Sequence, residues 1–205
     1  MELIKTIKTI YNIIYIYKKE NKLVAFKPSK YIKKELLADK LAKFFNINTM
    51  NIKPVKIKGT AGIFMDYLKD SVLLMHYNKK LDNKQLNQLK KIIIFDIWIG
   101  NRDRHTANIF VNHDLTVFDH ENVFNDVTAR KCIKLDTGRR LNKDYVTIIE
   151  KSIDKHLTAK KILLKIGFKK TDFLAISENK IKNIIDDKKL IKFLISRSNF
   201  DNILF

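Results

Sequence analysis

The pattern of apolar and polar positions in the first third of the chain predicts a small sheet with one helix. Apolar and β-branched residues dominate Ile10–Tyr17 and Leu23–Lys27, and the short polar stretch between them predicts a β-hairpin. Apolar residues then recur at helical spacing over Tyr31–Phe45. Two more short strands are predicted at Pro54–Ile57 and Gly62–Tyr67, on either side of a turn-forming stretch.

The rest of the chain has mostly helical patterns. Apolar residues at helical spacing predict a helix over Asp82–Ile99, and Gly100 suits its C-terminal cap. Residues 121–145 show little periodicity and are expected to form a loop. Several helical patterns follow within residues 146–205, including one over Ile181–Ile195.

Composition is typical of a folded chain in a reducing compartment. The chain has 205 residues and 45% hydrophobic residues, enough to bury a core. A single cysteine, Cys132, excludes an internal disulfide. Neither a signal peptide nor an apolar run of about 20 residues is visible, so we expect a cytoplasmic protein without a membrane span.

Charge leaves a second class of function open. The chain carries 41 basic and 22 acidic residues, a formal net charge of +19. Such an excess is typical of proteins that bind nucleic acid, anionic lipid or acidic partners. Lysine supplies most of it and is spread along the whole chain, which favours solvated surfaces over a nucleic-acid interface.

The most informative stretch follows the helix that ends near Gly100. Two short apolar strands, Ile109–Val111 and Leu115–Phe118, flank a polar turn. A tight hairpin turning at His113-Asp114 would set Asn108 opposite Asp119 on the neighbouring strand. Opposed residues of an antiparallel pair lie on the same face, and amide and carboxylate oxygens suit Mg²⁺. This register therefore predicts a magnesium site.

Asp103 adds a candidate base to this site. It precedes Asn108 by five residues and lies in the irregular segment after the helix. A carboxylate in that position would orient the hydroxyl of an acceptor and take its proton. A nucleophile-orienting Asp together with an Asn and an Asp on metal is the set of groups that phosphoryl transfer requires.

These residues resemble known kinase families. The spacing from Asp103 to Asn108, followed by an apolar strand and Asp119, is similar to the catalytic loop and metal-binding Asp of protein kinases. Asp103-Arg104-His105-Thr106-Ala107-Asn108 resembles phosphatidylinositol 3- and 4-kinases. Asn101-x-Asp103 with Phe118-Asp119-His120 resembles HipA-like kinases, and we favour this second group.

The HipA-like resemblance implies an α+β, two-lobed, protein-kinase-like fold. Residues 1–68 would form a small N-terminal lobe of sheet and helix, and residues 69–205 a mostly helical C-terminal lobe with the catalytic loop. ATP would bind between the lobes, with Mg²⁺ on Asn108 and Asp119. The activity implied is ATP- and magnesium-dependent phosphorylation of a protein serine or threonine, or of the enzyme itself.

Further site residues follow from the same resemblance. Lys27 would hold nucleotide phosphates and Glu35 would pair with it. The interlobe hinge that reads adenine would be the segment comprising Met65, Asp66, Tyr67 and Leu68. Besides Asp103, two neighbours in the catalytic loop would support the loop or the transferring phosphoryl group, namely Arg104 and His105.

Departures from the family patterns leave alternatives open. The chain lacks a Gly-x-Gly-x-x-Gly loop, and His120 and Glu121 follow Asp119 in place of Phe-Gly. A pseudokinase or interaction module, or a lipid kinase of the phosphatidylinositol type, therefore remains an alternative. Three histidines, His105, His113 and His120, raise a metal-dependent hydrolase as a weaker reading.

The sequence says less about the binding partners of the protein than about the reaction it would catalyse. Arg139-Arg140 would suit an anionic substrate or a phosphorylated residue, although a solvated loop is the favoured explanation. The HipA-like resemblance also implies a cognate antitoxin or another regulatory partner. The acceptor and the oligomeric state are not predicted by these residues.

Overall fold

A computed structural model describes residues 1–8, 13–132, 140 and 157–204, and the statements below refer to these residues. The chain folds into a mixed α/β structure with two sheets and several helices. The elements of the first part are β1 (Glu2–Lys8), β2 (Ile13–Lys19), β3 (Lys22–Pro28), α1 (Ile32–Phe44), β4 (Asn48–Thr49), β5 (Lys53–Ile57) and β6 (Thr60–Asp66).

A five-stranded antiparallel sheet, in the order β1-β2-β3-β6-β5, contains every one of these strands except β4. The hairpin, the helix and the last two strands predicted from the sequence are confirmed, with ends that differ by no more than two residues where they can be compared, while residues 10–12 of the first predicted strand lie outside the described residues. Strand β1 was not predicted. Its residues are almost all exposed, so its apolar positions do not mark a buried face.

A second sheet follows, together with the central helix. The elements of this part of the chain are β7 (Val72–Leu73), α2 (Asn83–Ile99), β8 (Ile109–Val111) and β9 (Leu115–Val117). The strand order is β4-β9-β8-β7, in which β4 pairs in parallel with β9. A two-residue strand from the first fifty residues, β4, is thus paired with the strand that leads to Asp119. The lobe boundary at residue 68 stays a prediction.

The C-terminal part is helical, as predicted, within the residues described. Its helices are α3 (Ala129–Cys132), α4 (Ala159–Lys165), α5 (Glu178–Lys182) and α6 (Lys188–Arg197). The pattern over Ile181–Ile195 belongs to two helices and not one. Asp187 begins α6 by accepting hydrogen bonds from the backbone N–H groups of Lys189 and Leu190.

The hairpin register differs from the predicted one. Val111 pairs with Leu115 and Ile109 with Val117, so three residues, 112–114, form the loop instead of a two-residue turn. Asn108 is therefore level with Phe118, whose N–H donates to the Asn108 carbonyl at 3.3 Å, and not with Asp119. The Asn112 side chain accepts from the Asp114 N–H at 2.9 Å, a local turn that competes with the tight hairpin.

Helix α2 is the centre of the main core. A capping box of Asp82 and Gln85 begins it, and ten of its residues are buried. Trp98 is fully buried, and its Nε1 donates to the Leu194 carbonyl of α6 at 2.9 Å. Gly100 ends the helix in the left-handed conformation, as predicted, which turns the chain into the segment that carries Asp103.

Replacing Gly100 by alanine is expected to destabilise the fold by more than the roughly 1–2 kcal/mol of a left-handed backbone. The residue has φ +63°, and an added Cβ would lie 2.1 Å from the Asn125 carbonyl oxygen. Gly59→Ala is the matched control, because Gly59 has φ +84° with no atom near its Cβ position. Urea unfolding of both variants measures the difference, and equal losses would contradict the close-contact argument.

Candidate functional site

A cavity of about 840 Å³ lies where the larger sheet, α1 and the β8–β9 hairpin meet. Its volume is in the range of small-molecule sites, about 300–1,000 Å³. Most of the site residues predicted from the sequence line it, namely Lys27, Glu35, Met65, Tyr67, Leu68, Asp103, His105, Asn108 and Asp119. Asp66 and Arg104 are not in its lining.

Lys27 is the cationic centre of the cavity. It lies on β3 opposite Ile63, and only 3% of the residue is exposed. Its Nζ is 2.6 Å from Asp119 Oδ1, 3.2 Å from Glu121 Oε2 and 3.3 Å from Glu35 Oε2. One ammonium thus joins β3, α1 and the segment after β9.

The carboxylates decide the protonation of Lys27. Burial by itself would lower the pKa of the ammonium, but Asp119, Glu35 and Glu121 outweigh it and raise the pKa. Lys27 is therefore a permanent cation at neutral pH. Burial likewise raises the pKa of the Glu35 carboxyl, an effect that Lys27 and the Ser29 hydroxyl oppose.

Helix α1 positions Glu35. Ala38 and Ala42 on the same helix are fully buried, and these small side chains allow α1 to approach its neighbours closely. The Ser29 hydroxyl donates to Glu35 Oε1 at 2.6 Å, while Lys27 donates to Oε2. Each oxygen of the Glu35 carboxylate therefore has a hydrogen-bond donor, which fixes the orientation of the Glu35 side chain towards Lys27.

The segment after Gly100 positions Asp103 and Asn108. The Asp103 N–H donates to Asn101 Oδ1 at 3.1 Å, and Asn122 Nδ2 donates to Asp103 Oδ2 at 3.3 Å. Asn108 Nδ2 donates to the Asp103 carbonyl at 3.1 Å. The amide nitrogen of Asn108 is thus committed, and its oxygen is the atom that suits a cation.

Asp119 reaches the cavity in spite of the altered register. It follows the last paired residues of the hairpin and has φ +61°, a left-handed conformation that is uncommon outside glycine, Asn and Asp. This turn at residue 119 breaks the alternation of the strand. Asp119 and Asn108 consequently line the same cavity although they are not opposed in the ladder.

Arg104 holds the hairpin from behind. The residue is 2% exposed, and its Nε donates to Asp96 Oδ2 at 2.8 Å. Its Nη1 donates to the carbonyls of Asn108, at 3.0 Å, and Phe118, at 2.6 Å. Of the two roles predicted for Arg104, these contacts agree with loop support and not with contact to a phosphoryl group.

His120 completes this buried network as a neutral ring. Arg104 Nη2 lies 2.8 Å from His120 Nε2. A guanidinium only donates, so Nε2 must accept and the proton must be on Nδ1. Burial, together with the charges of Arg104 and Lys27, holds the pKa of His120 well below its usual 6.5.

The three histidines do not form a metal site. His120 binds Arg104, His113 lies exposed in the hairpin loop, and His105 Nδ1 accepts from the Ala107 N–H at 3.2 Å. No cluster of three or more His, Cys, Asp or Glu side chains that would hold a metal ion occurs in the part of the chain described. Within the described residues, these histidines are therefore not brought together as the ligand set that the hydrolase alternative needs.

The predicted hinge residues have different environments. Met65 is buried, whereas Tyr67 is 37% exposed, and both line the cavity with Leu68. The Asp66 N–H donates to the Met50 carbonyl and its carboxylate accepts from Asn51 Nδ2 at 2.6 Å. Asp66 thus connects the end of β6 to the segment between β4 and β5.

The predicted arginine pair lies partly outside the described residues. Arg139 is among the residues not described. Arg140 donates to the carbonyls of Tyr77, at 2.7 Å, and Leu74, at 3.2 Å. These contacts tie Arg140 to the segment after β7.

Three functional neighbours were missed by sequence reasoning. Glu121, Asn122 and Asp96 each contact a predicted site residue. The role of Asp96 could have been predicted from the sequence, because a single carboxylate within the apolar segment Ile92–Ile99 requires a cation as its buried partner. Glu121 and Asn122 carried no such signal, since they lie in an aperiodic polar segment.

Comparisons with known proteins give structural neighbours only. No protein-family model matches the sequence, and neither does any curated protein. The structure is similar to that of a Helicobacter pylori proinflammatory kinase, CtkA, with a TM-score of 0.49 and 16% identity over 95% of this chain and 92% of that chain. It is also similar to WaaP in a complex with acyl carrier protein, with a TM-score of 0.43 and 12% identity over 95% and 87% of the two chains.

Similarity at this level assigns neither a family nor an activity, so both depend on the residues of the site. The resemblance to HipA-like kinases stays a prediction. No helix in the described part of the chain has the length and apolarity needed to cross a membrane.

Arg104→Met is expected to destabilise the fold by about 3–5 kcal/mol, because it leaves Asp96 buried without its cation. Burial already raises the pKa of Asp96, an effect that Arg104 counters. Denaturant unfolding measures the loss. The double variant Asp96→Leu with Arg104→Met is the control and should recover much of it, whereas equal stabilities of the single and double variants would contradict the pairing.

His120→Asn is expected to reduce the acid sensitivity of stability. The folded-state pKa of His120 is depressed, so below about pH 6.5 the unfolded chain binds the extra proton and the folded chain does not. Stability is therefore retained above that pH and lost as the pH falls, by up to about 1.4 kcal/mol per pH unit. Unfolding free energies at pH 7 and pH 5 check this, and identical slopes for wild type and variant would exclude it.

Proposed function

We propose that this chain is an ATP- and magnesium-dependent kinase that transfers a phosphoryl group to an alcohol hydroxyl. The observation that carries this proposal is the convergence of Lys27, Glu35, Asp103, Asn108 and Asp119 on one cavity. They come from strand β3, helix α1, the segment between α2 and β8, and the segment after β9, and are up to 92 residues apart in sequence. The spacing of a short motif alone would not require such a convergence.

The charges at the cavity support a phosphate site with a divalent cation. Three carboxylates, Glu35, Asp119 and Glu121, surround the single ammonium of Lys27. This excess of negative charge suits an additional cation, and Asn108 adds an amide oxygen. Magnesium is typically held by one or two carboxylates together with phosphate oxygens, so a full protein cage is not needed.

The roles of the residues follow from their contacts. Lys27, held by Glu35, would bind nucleotide phosphates, and Asn108 and Asp119 would hold Mg²⁺, which would neutralise phosphate charge. Asp103 would orient the acceptor hydroxyl and accept its proton as the oxygen attacks the γ-phosphorus and the bond to the departing ADP breaks. Asn122 and Asn101 would keep Asp103 in place.

The kinase-like fold and the HipA-like type belong to the same proposal. Two features support both parts of this proposal. Lys27 is paired with Glu35. The cavity beside this pair is lined by Asp103, Asn108 and Asp119. The acceptor we propose is a protein serine or threonine, or a hydroxyl of the enzyme itself. A pseudokinase would retain the nucleotide site without transfer.

Asp119→Asn is expected to abolish stabilisation by ATP with magnesium, because it removes the carboxylate proposed to hold the cation. Asp103→Ala should retain this stabilisation but lower phosphoryl transfer by about 10²–10⁴-fold, the usual contribution of a general base. Thermal unfolding with and without Mg-ATP, and labelled-phosphate transfer to the enzyme and to a generic protein acceptor, measure the two effects.

Asp201→Asn serves as the matched control, because Asp201 is an exposed aspartate that pairs with Lys160 and does not line the cavity. It should change neither binding nor transfer. Wild type that binds Mg-ATP without transfer would indicate a pseudokinase. Binding to nucleic acid with a steep salt dependence, unaffected by Asp119→Asn, would instead favour the charge-driven alternative.

A further inference from the structure

Three carboxylates surround the ammonium of Lys27. Its Nζ lies 2.6 Å from Asp119 Oδ1, 3.2 Å from Glu121 Oε2 and 3.3 Å from Glu35 Oε2. An ammonium carries three N–H donors, so there is one carboxylate for each of them. Only 4% of the Lys27 side chain is exposed, which leaves little room for a fourth anion. A phosphate that binds Lys27 must therefore replace one of the carboxylates.

The three carboxylates are held to different degrees. Glu35 accepts hydrogen bonds from Lys27 and from the Ser29 hydroxyl. Asp119 accepts one from Lys27 at 2.6 Å. Glu121 contacts Lys27 as an ion pair without a hydrogen bond, and its side chain has no other partner in the described part of the chain. With 24% of its side chain exposed, Glu121 is the most solvated of the three, so its contact is the easiest to break.

The chain is fixed on both sides of Glu121. His120 is buried, and its Nε2 lies 2.8 Å from Nη2 of Arg104. The carbonyl of Asn122 accepts a hydrogen bond from the Arg102 N–H at 3.2 Å. Glu121 can thus leave the ammonium by rotation about its own side-chain bonds, while the neighbouring residues keep their places.

We propose that Glu121 is a competing anion, which occupies Lys27 until a nucleotide phosphate replaces it. This inference rests on the proposed nucleotide site and names the contact that the nucleotide displaces. Against a nucleotide without Mg²⁺, Asp119 and Glu121 keep their negative charge and their contacts with Lys27. With the cation, Asp119 contacts the metal and Glu121 releases Lys27 to the phosphate. Glu121 therefore increases the dependence of nucleotide binding on magnesium.

The test compares the binding of ADP in Mg²⁺ and in EDTA, because metal-free ADP separates the contact with Lys27 from the metal site. Isothermal titration calorimetry measures both dissociation constants for wild type, Glu121→Gln and Glu178→Gln. Glu178 is the matched control, an exposed glutamate that pairs with Lys182 and does not line the cavity. Glu121→Gln should bind metal-free ADP about fivefold more tightly, as expected when one partly exposed ion pair no longer has to be broken, and should change Mg-ADP binding by less.

The ratio of the two dissociation constants should therefore fall in Glu121→Gln and stay at the wild-type value in the control. Glu121→Asp keeps the charge but withdraws it from Lys27, so it should give an intermediate ratio, and it decides the question if Glu121→Gln does not fold. An unchanged ratio in the folded variants would overturn the competition while leaving the kinase proposal intact. Weaker binding of Mg-ADP with unchanged metal-free binding would also overturn it and would make Glu121 a metal ligand instead. Wild type that binds ADP under neither condition would overturn both proposals.

Discussion

The ionic cluster around Lys27 is the interaction on which the site depends. A buried ammonium requires compensation, and three separate segments provide it through Glu35, Asp119 and Glu121. Removing Lys27 would leave those carboxylates close together, so the same residue that organises the cavity also sets its electrostatics. Ion pairs hold the site together, and a phosphorylated ligand with a cation would be suited to replace some of these pairs.

A second buried ion pair, between Asp96 and Arg104, supports the hairpin and does not face the cavity. Asp96 and Arg104 lie behind the cavity, and Arg104 binds the carbonyls at both ends of the hairpin, those of Asn108 and Phe118. Neutral His120 is part of this support, because a protonated ring would face a guanidinium at 2.8 Å. Residues adjacent in sequence, such as Asp103 and Arg104, thus have different tasks, one facing the cavity and one facing the core.

Local patterns predicted the helices and most strands because their periodicity reports burial on one face. Motif spacing predicted that Asp103, Asn108 and Asp119 belong together, and the resemblance to kinases added Lys27 and Glu35. The hairpin register was predicted wrongly because the Asn112 side chain accepts a hydrogen bond from the Asp114 N–H and so stabilises a three-residue loop. The left-handed conformation of Asp119 has no periodic signature. Glu121 was missed because its contact with Lys27 arises only from long-range packing.

Strand β4 has a mechanical consequence for the cavity. Within the described residues the chain passes between the two sheets before β4, after β4 and at residues 67–71, and β4 is also hydrogen-bonded in parallel to β9. Opening the cavity about a single covalent hinge would strain those hydrogen bonds. The two walls of the cavity are connected on both sides. We therefore expect a ligand to enter by movement of side chains at the cavity mouth more than by a large rotation of one sheet against the other.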